Sequence, residues 1–161
     1  MSKSTLVIND KMPALLKAMG ALVKSEVLVG VPAESTERSD GEPINNATLG
    51  YIHETGAPAA GIPARPFLVP GVAAVEDAVA EQLGKGAKAA LAGDTVAIDQ
   101  RLHAAGLVAE TSVKNTINAG VEPALADSTI AARARRGRTG TVPLIDTGKL
   151  RNSITHVVRR K

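Results

Sequence analysis

Two consecutive helical patterns between residues 71 and 118 constrain the fold more than any other feature of this chain. In each pattern, apolar residues recur every three or four positions, as on one face of an amphipathic helix. Gly93 separates the patterns, and Asp94 or Thr95 is placed to cap the second. The spacing predicts a long helical hairpin over 71–118. The first apolar face comprises Val72, Val75, Val79, Leu83, Ala87, Ala90 and Leu91, and the second comprises Ile98, Leu102, Ala105, Ala109, Val113 and Ile117.

Two short runs far apart in the chain have the composition of β-strands. Residues 26–31 are rich in Val and Leu and are followed by Pro32, and residues 153–158 alternate enough to form a strand that pairs with the first. We therefore predict an α+β fold, in which several helices pack on a small antiparallel sheet. At 161 residues, the chain is expected to fold as a single domain over 1–161.

Residues 12–24 predict a first amphipathic helix. Asp10 is available as its cap, and Pro13 falls in the first turn, where its missing N–H costs least. The apolar residues at helical spacing are Met12, Leu15, Leu16, Met19, Leu22 and Val23.

The middle of the chain predicts a short helix followed by a rigid connection. Residues 45–54 allow a helix with either Leu49 or Tyr51 turned inward, and Gly56 is well placed to end it. Residues 56–70 contain four prolines, which predict an extended connection.

Two segments lack any periodicity and are expected to be flexible loops. Residues 32–43 are polar, and residues 133–142 are basic and contain glycine. Beyond the second loop, residues 143–145 are expected to be extended, with a turn at Gly148.

Composition excludes several classes of function. The chain has no Cys, which excludes disulfide scaffolds, zinc ribbons and thiol nucleophiles. Tyr51 and Phe67 are the only aromatic residues, which nearly excludes nucleic-acid modules that stack bases on several aromatic side chains. No apolar stretch approaches the roughly 18 residues of a membrane helix, and the N-terminus lacks a signal-peptide pattern. We expect synthesis in a cytoplasm and no membrane contact.

The net charge of +3 conceals a bipolar distribution. Residues 133–161 hold nine Lys or Arg against Asp146 alone, which gives +8, and the remaining ten basic and fifteen acidic residues give −5. Such polarity suits head-to-tail packing of identical subunits as well as it suits a nucleic-acid partner. The possible phosphate or partner contacts are Arg133, Arg135, Arg136 and Arg138.

Candidate catalytic motifs are weak. The triplet Asp146-Thr147-Gly148 also occurs in aspartic proteases, but it appears once in a chain dominated by helical patterns, and a turn closed by the Asp side chain explains it better. The run ending at Leu150 lacks the glycine spacing and the Ser or Thr of a phosphate-binding loop. The three histidines are about fifty residues apart and favour surface or packing roles over a metal site. We predict no enzyme activity, metal or cofactor.

Two pairs of segments resemble the signatures of tail-component and virion-morphogenesis proteins of tailed bacteriophages and prophages. The first pair reads ATLGYIHETG at 47–56 and IPARPFL at 62–68, and the second reads LADSTI at 125–130 and PLIDTGKLRNSI at 143–154. Matching blocks cover residues 44–71 and 125–158, in the order and spacing of the family. The motif residues are Tyr51, Glu54, Gly56, Pro63, Arg65, Pro66, Phe67, Leu144, Asp146, Thr147, Gly148, Leu150 and Ser153.

The resemblance implies a structural virion protein of the neck or upper tail, made in the host cytoplasm, that completes the tail or joins it to the head without catalysis. It also implies a homo-oligomeric ring, with six copies favoured and twelve possible, that contacts neighbouring connector, tail-terminator or tail-tube proteins. Nonspecific DNA contact is possible. The alternative is a basic accessory protein that binds nucleic acid through residues 133–161.

Three motif residues have specific expected roles. Arg65 is expected to pair with Glu54 or with a carboxylate of a neighbour. Phe67 is expected to anchor this corner against the sheet. Asp146 is expected to accept hydrogen bonds from the backbone N–H groups of residues 147–149 or to cap a short helix that begins there.

Overall fold

The computed structural model describes residues 11–32 and 44–161. These residues form seven helices and one two-stranded antiparallel sheet, which confirms the α+β prediction. Most of loop 32–43 and the predicted cap Asp10 lie outside the described residues. The helices are α1 Met12–Val23, α2 Asn46–Thr55, α3 Leu68–Ala73, α4 Glu76–Leu91, α5 Thr95–Ala119, α6 Asp127–Arg135 and α7 Lys149–Ser153, and the strands are β1 Ser25–Gly30 and β2 Thr155–Arg160.

The long helix α5 is the centre of the fold. The Asp94 side chain caps its first turn by accepting a hydrogen bond from the Ala97 N–H at 2.9 Å. All six residues of the predicted apolar face of α5 are buried, with exposed fractions of 4% or less. This face packs against α3, α4 and both strands. No helix in the described ranges is long and apolar enough to cross a membrane.

The first half of the predicted hairpin differs from the prediction. Helix α3 begins before residue 71, and Val75, with φ −125° and ψ 20°, separates it from α4. Leu83 and Leu91 of the predicted face are 40% and 65% exposed. Ala90 of the predicted face is buried, and so is Gly86, which is not part of that face. The small size of both residues permits close helix packing.

The other described residues cover only one edge of the apolar face of α1. Ala18 is fully buried and packs with Ala90 and Ile98, and Leu22 packs against this cluster. Helix α1 begins after Lys11, which makes no side-chain cap. Four apolar residues that were predicted to face inward stay exposed, by 41% to 82%, because α4 and β1 cover a different side of the helix. These residues, which we call the α1 stripe, are Met12, Leu16, Met19 and Val23.

The two strands pair in antiparallel register, with Val27 opposite Val158 and Val29 opposite His156. Strand β2 begins two residues later than predicted, because the chain first forms α7. Ser153 therefore ends that helix and is not part of the strand. The inward side chains of the sheet lie on α5 and close the helix layer.

Phe67 lies in the larger of two apolar clusters and is 3% exposed, as predicted for an anchor. Val29 and Val31 pack against this cluster from the sheet side. The other buried members are Val113, Ile117, Val121, Leu144, Leu150 and Ile154. The cluster therefore joins both signature segments to helix α5.

Candidate functional site

The two signature segments meet around one cavity of about 820 Å³. Helix α2 and residues 61–65 form one side, and α6 with residues 144–150 forms the other. The predicted residues that line the cavity are Pro63, Arg65, Arg133, Arg136, Arg138, Leu144, Asp146, Thr147, Gly148 and Leu150. The predicted residues outside its lining are Tyr51, Glu54, Gly56, Pro66, Phe67, Arg135 and Ser153.

Glu54 caps a helix other than its own. Its carboxylate accepts backbone N–H groups from Phe67 at 2.7 Å, from Leu68 at 2.8 Å and from Val69 at 3.0 Å. These amides belong to the start of α3, where backbone donors lack partners within the helix and favour a negative charge. The predicted Glu54–Arg65 pair is therefore wrong. Glu54 instead joins α2 to α3.

Arg65 is 7% exposed and ties the proline-rich corner to the segment that precedes α6. Its Nε donates to the Pro123 carbonyl at 2.6 Å, and its Nη2 donates to the Ala124 carbonyl at 2.9 Å. Its backbone N–H also donates to the His53 carbonyl at 2.6 Å. Backbone oxygens of the same chain thus take the place predicted for Glu54, and the alternative, a carboxylate of a neighbour, stays a prediction.

Gly56 ends α2 as predicted and turns the chain sharply. Its φ of 76° lies in the region that favours glycine, and its N–H donates to the Ile52 carbonyl at 2.7 Å. A Cβ at this position would lie 2.8 Å from the Ala64 nitrogen, closer than atoms can pack. Tyr51 is 70% exposed, so Leu49 is the inward residue of the predicted pair.

The connection after Gly56 is not fully extended, contrary to the prediction. Residues 58–60 form a 3-10 turn, and Ala57 bridges Ile62 in antiparallel fashion. The turn gives the prolines a compact arrangement in which Pro63 and Pro66 stay exposed.

Asp146 pairs with arginines and not with the turn that follows it. Its carboxylate forms an ion pair with Arg138 and lies 3.7 Å from Arg133 Nε. No side chain caps α7, whose N-cap is Gly148 with φ 74°. The predicted cap is therefore wrong, because guanidinium groups bind a carboxylate more strongly than neutral N–H donors do. The predicted turn at Gly148 is confirmed.

Residues 143–145 form a turn and not the predicted extended segment. Leu144 has φ 63° and is 8% exposed, and this turn places its side chain in the apolar cluster with Leu150. Two weaker local contacts accompany the turn. Thr147 Oγ1 accepts from the Lys149 N–H at 3.5 Å, and Ser153 Oγ donates to the Leu150 carbonyl at 2.7 Å.

Arg133 holds much of the predicted flexible segment 133–142 in place. Its Nη1 donates to the carbonyls of Gly140, Val142 and Ile145 at 2.9, 3.1 and 3.0 Å. Its side chain is only 11% exposed. Arg133 therefore has a role inside the fold, and its expected role as a phosphate or partner contact stays a prediction.

The cavity remains strongly positive after these internal pairs are counted. Five cationic side chains line it against one carboxylate, so the lining carries a net charge of +4. Arg136 is exposed and makes no side-chain hydrogen bond or ion pair with the described residues. Such an arrangement can hold an anionic group. The five cations are Arg65, Arg133, Arg136, Arg138 and Lys149.

The chain matches no protein-family model, no curated protein and no solved structure. Within the described ranges, no three His, Cys, Asp or Glu side chains form a group that could hold a metal ion. The function is therefore argued from the resemblance of the signature segments and from the geometry around the cavity.

His53 lines the cavity from α2 and is half-buried. Burial, and then the positive charge of Arg65, lower the pKa of His53 below its ordinary value of about 6.5. Its Nδ1 is buried and has no hydrogen-bond partner in the described part of the chain. The neutral imidazole is therefore the form that the fold favours.

The lowered pKa of His53 predicts a pH dependence of stability. Because the folded state resists protonation, the contribution of His53 is complete above about pH 6.5 and is lost as the pH falls toward the folded-state pKa. We expect the free energy of unfolding to fall more steeply between pH 7 and 5 in the wild type than in His53→Gln. Urea denaturation at a series of pH values measures both slopes, and parallel slopes would contradict the assignment.

A second titratable cluster, which sequence reasoning missed, joins β2 to α5. His156 Nδ1 bonds Glu110 at 2.7 Å, and its Nε2 lies 3.3 Å from His103 Nδ1. Burial raises the pKa of Glu110, but hydrogen bonds from Lys114 and His156 outweigh it and set the pKa below its ordinary value. No local sequence pattern indicates this cluster, because His103 and His156 are brought together by the packing of the sheet on α5.

Proposed function

We propose that this chain is a structural protein of the neck or upper tail of a tailed bacteriophage. It assembles into a ring at the head–tail junction and completes the tail or joins it to the head. Its partners are further copies of itself and neighbouring connector, tail-terminator or tail-tube proteins. It acts without catalysis and is part of the virion after assembly from the host cytoplasm.

The observation that carries this proposal is that the two signature segments form one joint. Buried Gly50 of α2 faces Leu150 and Phe67, so the first signature packs directly on the second. Beside this joint, the polar signature residue Glu54 binds backbone groups at the start of α3, and Arg65 binds the carbonyls of Pro123 and Ala124, just before the second signature. Such residues fix the relative position of chain segments, as expected for a subunit with a structural role.

The α1 stripe supports self-assembly. Its members follow one another at spacings of four, three and four residues, so they lie along one side of the helix. Leu16 is 62% exposed and Val23 is 82% exposed. An apolar row of this kind on a surface helix is typical of a protein–protein contact.

The nucleic-acid alternative is less favoured, because at least five of the nine cationic side chains of residues 133–161 form ion pairs within the chain. Arg159 and Lys161 pair with Glu26, and Arg160 pairs with Asp99. Charges held in such pairs release fewer counterions from a phosphate backbone. A nucleic-acid binder should lose affinity steeply between low and moderate salt, whereas assembly through buried apolar surface should not.

Replacing Leu16 with Asp tests the proposed self-assembly. A charge placed in the middle of the α1 stripe should weaken association of the purified protein at least tenfold, because the stripe is buried in the assembly. The matched control is Leu107→Asp, since Leu107 is also exposed, by 56%, but lies on α5. Sedimentation velocity over a range of concentrations measures both variants. Equal association of the two variants and the wild type would contradict the role of the stripe.

A further inference from the structure

We infer that the positive cavity is a subunit contact that receives the carboxylates of Glu76 and Asp77 from a second copy of this chain. The inference rests on the proposed function, because it names the contact by which neighbouring subunits of the assembly bind one another. It gives the cavity an occupant that α4 of the same chain does not supply, since no residue of α4 is among the described residues that line the cavity.

The cavity is prepared for a carboxylate before any partner arrives. Arg133 is fixed by three carbonyl oxygens, and Arg138 is fixed by Asp146. Binding an anion beside these side chains therefore loses little side-chain entropy. Arg136, which lacks a partner among the described residues, is left to form a bidentate pair with an incoming carboxylate.

The acidic pair has the complementary arrangement. Glu76 and Asp77 are exposed neighbours in the first turn of α4. Neither side chain makes a hydrogen bond or ion pair with a described residue. Exposed Val69 and Val72 precede them on α3. The same surface thus offers apolar groups beside its carboxylates, and the cavity offers Leu49 and Ile62 beside its cations.

A protein carboxylate fits this cavity better than a nucleic-acid backbone does. The carboxylate of Asp146 already lies among the arginines, so this lining binds the carboxylate of a protein side chain. The −5 charge of residues 1–132 supplies the opposite sign within every copy.

The contact joins different surfaces of the two copies, so it is head-to-tail. Heterologous contacts of this kind generate closed rings when the rotation between subunits closes, and open filaments when it does not. The cavity contact and the α1 stripe are separate surfaces and can be tested separately.

Charge reversal with rescue by mixing tests the inference. Arg136→Glu should weaken association at least tenfold, and so should the double variant Glu76→Arg, Asp77→Arg. Mixing the two variants in equal amounts should restore pairwise association to within about threefold of the wild type, because the unaltered cavity of the double variant then meets the unaltered acidic surface of the Arg136→Glu variant. Sedimentation velocity at fixed, low ionic strength measures every sample.

Arg135→Glu is the matched control, since Arg135 is exposed, lies next to Arg136 and does not line the cavity. It should leave association unchanged, and the milder Arg136→Gln should give an intermediate loss if the glutamate variant folds poorly. Equal losses for Arg135→Glu and Arg136→Glu, or no rescue on mixing, would overturn the inference. If the wild type and Arg136→Glu assemble equally, the cavity contact is contradicted and the proposed function is not. A wild type that stays monomeric contradicts the proposed function as well.

Discussion

Replacing Phe67 with Ala is expected to lower the free energy of unfolding by about 3–5 kcal/mol. The ring is 3% exposed and contacts residues from α5, from the turn at Leu144 and from α7. Its loss would leave a cavity where the two signature segments meet, and the surrounding elements can collapse only partly into it. Urea denaturation followed by circular dichroism measures the effect.

Phe67→Leu provides the control for this prediction, because it retains an apolar side chain of smaller but related volume. We expect it to cost clearly less than the alanine variant, on the order of 1–2 kcal/mol. A loss below about 1 kcal/mol for Phe67→Ala would contradict the central position of the ring.

Replacing Arg65 with Met is expected to cost about 3 kcal/mol of folding stability. The substitution removes the buried guanidinium of Arg65 and, with it, its hydrogen bonds to the carbonyls of Pro123 and Ala124. Arg65→Lys should recover part of the loss, because one ammonium cannot reproduce the two donors of a planar guanidinium. Thermal denaturation of both variants gives the order of stability.

The control for Arg65 is Arg135→Met, which removes an exposed arginine from the end of α6. We expect its melting temperature to stay within about 1–2 °C of the wild type, as for surface substitutions in general. A stability of Arg65→Met equal to that of this control would show that the corner does not need its guanidinium.

The central helix could be predicted from the sequence because its apolar face alone determines what is buried. Every position of the predicted face from Ile98 to Ile117 is buried, and Asp94 caps the helix as expected. The face of α4 could not be predicted in the same way. There, close packing selects Gly86 and Ala90, whereas the larger Leu83 and Leu91 lie at the surface. Hydrophobicity predicts burial only where the neighbouring element leaves room for a large side chain.

The sheet could be predicted because both strands carry β-branched residues at suitable positions. The start of β2 lies two residues later than predicted, since a short helix after Gly148 uses the residues up to Ser153. Helix boundaries of this kind depend on a single turn and are the least determined part of a sequence pattern.

The motif residues could be recognised, but the partners of their charged members could not. Glu54 and Asp146 were expected to act close to their own positions or with Arg65. In the structure, Glu54 caps α3 and Asp146 pairs with Arg138. A carboxylate binds whichever donors the tertiary fold brings nearest, and those donors lie many residues away for Glu54.

Tertiary contacts also determine how far residues 133–142 are held in place. Its composition is that of a solvated loop, and its sequence has no periodicity. Arg133 nevertheless binds the carbonyls of Gly140 and Val142 and holds the segment against the start of α7. Two of the four arginines of this segment, Arg135 and Arg136, are exposed and form no ion pair with the described residues. These two match the solvated loop that the composition indicates.

Native mass spectrometry of the purified protein measures directly whether the chain forms a ring. We expect one dominant species at a fixed multiple of the 16.5 kDa chain, with six copies favoured and twelve also compatible with a ring. Leu16→Asp should shift this species toward the monomer under the same conditions. A protein that remains at 16.5 kDa at every concentration, or that forms an unlimited ladder of masses with no preferred size, would contradict a closed ring.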